Sequence, residues 1–205
     1  MPPVAIAALL MSLALLGLAA PGSGTVTASP PPPLPLPADA ERRLAAGEII
    51  VLDVLPPGAS AEAQGGTAVA IVRAPVEKVW SILIDYKGHP RYYPRLTSAE
   101  VLESSNGRAL VRYTAAVGFL SFTFHMDKTQ DPVRHRIEWQ LAPGRSNSLF
   151  RENSGYWQVD QHDGGSLVAY GLAVRTVLPG FLTRSSERES LVDTIKGLRR
   201  LAESS

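Results

Sequence analysis

The stretch that decides the fold runs from residue 67 to residue 94 and reads TAVAIVRAPVEKVWSILIDYKGHPRYYP. Its first eight residues are rich in small and β-branched side chains and predict a strand. Pro75 follows at the expected first position of a helix, where a backbone N–H would have no acceptor within the helix, so its absence in proline costs nothing. After it, the apolar residues recur at i, i+3, i+4 and i+7 and form one stripe: Val76, Val79, Trp80 and Leu83. A strand followed directly by an amphipathic helix is therefore predicted, with HPRYYP as a further short helical turn.

The sequence beyond residue 94 predicts an antiparallel meander closed by a helix. Six segments alternate polar and apolar residues, at about 97–105, 108–117, 120–129, 134–141, 153–161 and 167–177. Three pairs suit two-residue hairpin loops, of type I′ for the first and third and type II′ for the second: Asn106-Gly107, Gly118-Phe119 and Asp163-Gly164. Ser186 begins an S-x-x-E capping box, and four apolar residues follow at helical spacing: Leu191, Ile195, Leu198 and Ala202.

The hairpin registers predict which side chains share the inward face of the sheet, because a slip of one residue would reverse them all. Pairing Val117 with Leu120 sets Tyr113 opposite Phe124. The inward face then collects five aromatic side chains and one amide: Tyr113, Phe124, Trp139, Asn153, Trp157 and Tyr170. We interpret these six as ligand-binding residues that line a cavity between sheet and terminal helix. Plain core packing under the helix is the alternative.

A charge ladder and a metal site compete for the outward face. Matching the apolar faces of the second hairpin sets His125 opposite Glu138 and Asp127 opposite Arg136. His125, Asp127 and His135 could suggest a metal site, but this register gives the first two other partners and turns His135 to the opposite face. The ladder is favoured, because opposite charges across strands are a common stabilising pattern. No metal and no cofactor are predicted.

Glu100 is the one acidic residue that the registers turn inward. Pairing across Asn106-Gly107 sets it against the Tyr113 face, where an unpaired carboxylate would be costly. If it lies there, burial would raise its pKa and make it an acid or base for an enzyme. A bulge in its strand would remove the anomaly. There is no G-x-S-x-G elbow or other recognisable nucleophile constellation, so no catalytic residue is assigned.

The N-terminal segment predicts export. Residues 4–20 are apolar without a break and are followed by small residues, as in the h-region of a secretory signal. We assign residues 1–28 as a signal peptide, cleaved after Ala20 or Ala28, and expect an exported, periplasmic protein. The alternative is an uncleaved anchor, which would associate the protein with a membrane.

A linker and a main domain follow the leader. Residues 29–65 form a proline-rich linker, SPPPPLPLP, and an N-terminal extension in which 38–46 is expected to be helical and 48–55 a strand. Residues 66–205 form the domain. With 205 residues, one core of ordinary size is expected.

Composition excludes several classes of function. Lys and Arg number 20 against 19 Asp and Glu, and no basic run resembles that of a nucleic-acid-binding protein, so no nucleic acid partner is expected. The chain has no cysteine, which removes disulfides, thiolate nucleophiles and cysteine-ligated zinc. Nothing in the sequence indicates the oligomeric state.

These elements resemble a known superfamily. The strand, the APVEKVWSILIDYKGHPRYYP segment, the meander and the long terminal helix look like the START-like (SRPBCC) superfamily, and the most similar groups are polyketide cyclase/dehydrase and coenzyme Q-binding (Coq10-type) domains. The resemblance covers about two thirds of the chain. It implies an α+β helix-grip (START-like, Bet v 1-like) fold, in which a curved antiparallel sheet wraps around the C-terminal helix and encloses a cavity.

The resemblance and the inward face together predict a binding function. We expect the protein to bind or carry an apolar small molecule, such as a lipid, quinone or isoprenoid-like compound. A cyclase or dehydratase acting on a polyketide-like substrate is the first alternative, and a non-catalytic interaction module is the second. The matched positions in the quoted segment are scaffold positions and imply no catalytic role.

Overall fold

The structure of the protein is a computed structural model. Its main element is one antiparallel sheet of eight strands. In chain order the strands are β1 (Ile50–Leu52), β2 (Gln64–Val72), β3 (Leu96–Ser105), β4 (Arg108–Val117), β5 (Leu120–Asp131), β6 (Arg136–Leu141), β7 (Phe150–His162) and β8 (Gly165–Thr176). Their order across the sheet is β1-β2-β8-β7-β6-β5-β4-β3, so β2 returns to pair with the last strand. The structure describes residues 34–177 and 186–204, and the predicted signal peptide lies outside them.

In the described part of the chain, three α-helices and one 3₁₀ helix accompany the sheet. They are α1 (Ala40–Ala45), α2 (Val76–Ile84), a 3₁₀ helix (Tyr86–Arg91) and α3 (Ser186–Glu203). The predicted stripe of α2 is buried, and Pro75 stands one position earlier than predicted, as its N-cap residue. No helix among the described residues is both long and apolar enough to cross a membrane.

The long helix α3 covers the inward face of the curved sheet. Its four predicted apolar residues are each at most 1% exposed: Leu191, Ile195, Leu198 and Ala202. They join one continuous core with the inward residues of β2, β4, β7 and β8. The helix-grip fold expected from the sequence is therefore confirmed.

Part of the predicted extension packs against the main domain. The helix α1 buries Ala40 and Leu44, and β1 pairs with β2 through Ile50 and Val69. The helix is close to its predicted range, whereas the strand has only three residues instead of eight.

Two of the predicted hairpin turns form as expected. In the β4–β5 hairpin Val117 pairs with Leu120 and Tyr113 with Phe124. At the β3–β4 turn the backbone φ angles of Asn106 and Gly107 are 48° and 73°, as a type I′ turn requires. The β7–β8 loop also has two residues, but only the second, Gly164, has a positive φ, so the type I′ prediction is wrong there.

The predicted register of the β5–β6 hairpin is wrong by four residues. Trp139 pairs with Lys128 rather than Phe124, and Glu138 pairs with Thr129 rather than His125. The strand β5 continues to Asp131, whose carboxylate accepts hydrogen bonds from the backbone N–H groups of the turn. A shift by an even number of residues keeps every side chain on its face, so matching apolar faces could not detect the error.

A bulge in β3 places Glu100 outside the core. The pairing of β3 with β4 shifts between Val101 and Glu103, so Glu100 lies opposite Arg112 and not Tyr113. Its carboxylate is exposed and forms an ion pair with the Arg112 guanidinium. The interpretation of Glu100 as an inward acid or base is therefore wrong, and the bulge that the sequence analysis allowed for is the reason.

A glycine on α3 permits close approach of the helix to the segment after the 3₁₀ helix. A Cβ atom at Gly197 would lie 2.6 Å from the backbone carbonyl oxygen of Tyr92 and 2.9 Å from its Cα. Real Cβ atoms do not come so near to backbone atoms. Gly197 therefore allows α3 to lie close to the backbone of Tyr92.

We expect Gly197→Ala to destabilise the protein by about 1–2 kcal/mol, although alanine is the better helix former by about 1 kcal/mol. The added methyl group must push α3 away from Tyr92. Urea denaturation would measure the effect. Lys196→Ala, at the exposed neighbouring position, serves as the control and should change stability by less than about 0.5 kcal/mol. A more stable Gly197→Ala variant would contradict the proposed contact.

Candidate ligand-binding site

A cavity of about 170 Å³ lies between the inward face of the sheet and the start of α3. Five of the six residues predicted to bind a ligand line it: Tyr113, Phe124, Trp139, Asn153 and Tyr170. The sixth, Trp157, is fully buried behind the wall and stacks on Tyr170 with ring centroids 4.2 Å apart. Trp157 therefore supports the wall and does not line the cavity. That the five lining residues bind a ligand stays a prediction.

The cavity has a closed inner end and an open mouth. Along β5 the inward side chains of Lys128, Met126 and Phe124 are at most 5% exposed, whereas Leu120 at the end of the hairpin is 46% exposed. The lining residues nearest to solvent include Arg95, Val117 and Phe150. These more exposed residues mark the mouth of the cavity, toward the end of the β4–β5 hairpin.

Lys128 stands at the inner end of the cavity and was missed by the sequence analysis. It is 4% exposed. Its Nζ lies over three aromatic rings, 4.7 Å from the ring centroid of Trp139, 5.2 Å from Tyr86 and 5.6 Å from Tyr113. Burial lowers the pKa of Lys128 to about 7. The ring faces attract the ammonium form and offset part of the desolvation cost.

His89 fixes the hydroxyl group of Tyr113. The His89 Nε2 lies 3.0 Å from the carbonyl oxygen of Leu83, and its Nδ1 lies 2.9 Å from the Tyr113 hydroxyl. Burial, with the charge of Lys128 as a second cause, holds the pKa of His89 well below its usual value, so the ring is neutral. A carbonyl only accepts, so Nε2 carries the proton, and Nδ1 accepts from Tyr113.

Trp139 and Asn153 form a second polar pair in the wall. The indole N–H of Trp139 donates to Oδ1 of Asn153 over 3.1 Å. The indole lies over the backbone of Gly155, where a Cβ atom would come within 2.4 Å of the ring. The absence of a side chain at residue 155 therefore allows Trp139 to reach both Asn153 and Lys128.

The outward face of the sheet carries a wider groove of about 850 Å³ with a polar lining. Residues 56–58 of the extension form part of its wall. Arg136 lies in it, paired with Glu138 at 2.8 Å and stacked 4.3 Å from the ring centroid of Tyr156. Because this groove has a polar lining, the inner cavity is the better candidate for an apolar ligand.

The residues considered for a charge ladder or a metal site, His125, Asp127 and His135, do not form either arrangement. His125 hydrogen-bonds through Nδ1 to the carbonyl oxygen of Ser146 at 2.8 Å, and His135 lies 3.7 Å from the Glu77 carboxylate. The predicted pairs of His125 with Glu138 and of Asp127 with Arg136 do not form, because the register differs by four residues. Within residues 34–177 and 186–204 no three His, Asp or Glu side chains cluster as metal ligands would.

The family of the chain follows from its sequence. Residues 72–199 match the family model described as polyketide cyclase/dehydrase and lipid transport. The chain belongs to this family. The match confirms the predicted resemblance, and an apolar ligand fits a family whose description spans cyclases and lipid transport. Coenzyme Q binding stays a prediction. No curated protein matches the chain.

Solved structures share the fold. The Zhui aromatase/cyclase from Streptomyces sp. R1128 is 23% identical, with 67% of this chain and 92% of that chain covered and a TM-score of 0.55. A START superfamily protein from Mycobacterium smegmatis is 19% identical, with coverages of 67% and 95% and a TM-score of 0.56. A STAR-related lipid transfer protein from Xanthomonas axonopodis is 15% identical, with coverages of 76% and 93% and a TM-score of 0.59. At these identities the likeness is one of fold alone.

We expect the free energy of unfolding to rise by about 2 kcal/mol more between pH 7 and pH 9 in the wild type than in Lys128→Met. The pKa of Lys128 is about 7 in the folded protein, well below its unfolded value, so in this interval the unfolded chain binds more protons and stability increases with pH. Of the titratable groups facing Lys128, Tyr86 and Tyr113 have raised pKa values and His89 a lowered one, so these lose or gain protons outside the interval.

Urea denaturation at a series of pH values would measure this difference. Lys78→Met, at an exposed lysine, is the matched control and should keep the wild-type pH dependence. Equal slopes for wild type and Lys128→Met would show that Lys128 is not desolvated.

Proposed function

We propose that this protein binds and carries an apolar small molecule in the cavity between the sheet and α3. The observation that carries the proposal is an aromatic-lined space with an open mouth and a few placed polar groups at its inner end, the pattern of small-molecule sites. Membership of a family described as polyketide cyclase/dehydrase and lipid transport supports it.

The volume limits what the cavity can hold. At about 170 Å³ it is smaller than the roughly 300 Å³ at which pockets for drug-sized ligands begin. It is close to an engineered cavity of about 150 Å³ that binds benzene. The ligand is therefore either small or a longer molecule that places one end inside and the rest at the mouth.

The same volume favours the interaction module, because a module that binds no ligand would have a filled interior. The lining argues against that alternative. Lys128 is desolvated at the inner end without a carboxylate beside it. A buried lysine without a partner costs stability, so packing alone does not explain this residue. We therefore rank the interaction module below the carrier.

A cyclase or dehydratase is the second candidate function. Its support is the family description together with Lys128, His89 and Tyr113, three groups able to hold or move a proton beside the cavity. Glu100 no longer contributes, since it is exposed. We rank carriage first, because the cavity is lined mainly by apolar and aromatic side chains and Glu100, the acid or base considered from the sequence, lies outside it.

We also propose that the protein acts in an exported space, the periplasm, after removal of its leader. The apolar run at residues 4–20 followed by small residues supports this location. An uncleaved anchor would instead hold the domain at a membrane surface.

We expect the purified protein to retain or take up apolar molecules, and Ala115→Leu to weaken this binding about tenfold or more. Ala115 lines the cavity, and the larger side chain occupies part of its volume. Ala116→Leu is the matched control, because the next residue lies on the outward face and should leave binding unchanged. Native mass spectrometry and thermal unfolding with a panel of fatty acids, fatty alcohols and isoprenoid alcohols would measure binding.

Two results would count against carriage. Protein that is reproducibly empty and gains no thermal stability from any member of the panel would overturn it. Equal loss of binding in Ala115→Leu and Ala116→Leu, with both variants folded by circular dichroism, would place the ligand elsewhere.

The full-length chain, produced in a host with a periplasm, should yield a mature protein that begins at Ser29 or Pro21. Cleavage after Ala28 is expected to predominate, because Pro21 would follow the other site. Fractionation and N-terminal sequencing would test it. Recovery of the intact chain in the membrane fraction would support the anchor, and recovery in the cytoplasm would overturn export.

A further inference from the structure

We propose that the ligand carries an anionic oxygen head group, a carboxylate, which Lys128 binds at the inner end of the cavity while the apolar part extends toward the mouth. This rests on the proposed function and names the class of ligand that the cavity accepts.

The amine of Lys128 is desolvated and has no partner among the described residues of the cavity. Lys128 is buried, and its Nζ makes no hydrogen bond or ion pair with any residue of 34–177 or 186–204. Burial is the sole cause that lowers its pKa, so no carboxylate compensates the charge. A desolvated amine without a partner costs free energy, which a carboxylate from the ligand would offset.

Asn153 offers a second hydrogen-bond donor near Lys128. Both ring nitrogens of His89 are engaged, and the oxygen of the Asn153 amide already accepts from Trp139. The amide NH₂ of Asn153 has no acceptor among the described residues, so it is a second available donor. Lys128 and Asn153 both border the Trp139 indole. Two donors without acceptors match the oxygens of a carboxylate.

The apolar lining residues determine the direction in which the ligand lies. On β4 and β5 the lining residues between Lys128 and the mouth include Met126, Phe124 and Ala115, whose side chains carry no polar group. A head group at the inner end therefore leaves the apolar chain beside apolar walls. The reverse orientation would bury hydrocarbon against the Lys128 amine and leave that amine without a partner.

Octanoate and 1-octanol are suitable probes, because they share a chain length and differ in the head group. We expect isothermal titration calorimetry of the wild type at pH 8 to show tighter binding of octanoate. Lys128→Met should lower octanoate affinity about ten- to hundredfold, as expected for the loss of a charge-assisted hydrogen bond, and change octanol affinity less than about threefold. Lys78→Met, at an exposed lysine, should bind both probes like the wild type.

Proton uptake supplies a readout that a merely structural role of Lys128 would not change. Near pH 8 the empty cavity holds mostly neutral amine, and a bound carboxylate favours the ammonium, so octanoate binding should take up close to one proton. Titrations in buffers of different ionisation enthalpy measure this number on the wild type. The other titratable groups around Lys128 are Tyr86, His89 and Tyr113, which stay neutral at this pH.

The outcomes separate the two proposals. Binding of octanol at least as tight as that of octanoate, or octanoate binding without proton uptake, overturns the head-group assignment and leaves carriage standing. Loss of octanoate preference in Arg95→Met but not in Lys128→Met would place the head group at the mouth and also overturns it. If the wild type binds neither probe nor any of the lipid panel, carriage itself fails.

Discussion

The packing of α3 against one face of the sheet is the constraint on which the rest of the structure depends. A strand exposes alternate residues on its two faces, so covering one face divides every strand into inward and outward side chains. The inward residues of β4 to β8 then become the wall of a single space, and α3 becomes its lid. Gly197 determines how near that lid lies to the segment around Tyr92, and so contributes to how much space remains.

Much of the architecture could be predicted because local signals agreed with one another. The Asn-Gly turn, the Gly-Phe loop and the stripe of α2 each specify a conformation within a few residues, and each is found. The β5–β6 register could not be predicted from face matching, because Phe124 and Lys128 have the same parity. What decides between them is the turn held by Asp131, a side-chain interaction that no hydrophobic pattern reveals.

The alternation of inward and outward residues along β5 also bears on Lys128, which was not predicted as a site residue. Glu100, the inward charge predicted from the sequence, is turned outward by a bulge, whereas Lys128 follows Phe124 and Met126 at two-residue spacing on the inward face. The two-residue spacing along β5 therefore indicated that Lys128 faces inward. Lysine is so commonly exposed, however, that this spacing alone does not predict a buried one. His89 had no such signal, because its place depends on how the 3₁₀ helix folds onto β4.

The contact between Trp139 and Lys128 has a consequence for experiment. The chain has three tryptophans, and of these only Trp139 lines the cavity, with its indole 4.7 Å from the Lys128 nitrogen. Indole emission responds to nearby charge and to the polarity of its surroundings. The protein therefore contains its own optical reporter, placed where water, an ammonium group or a guest molecule would each give the ring a different environment.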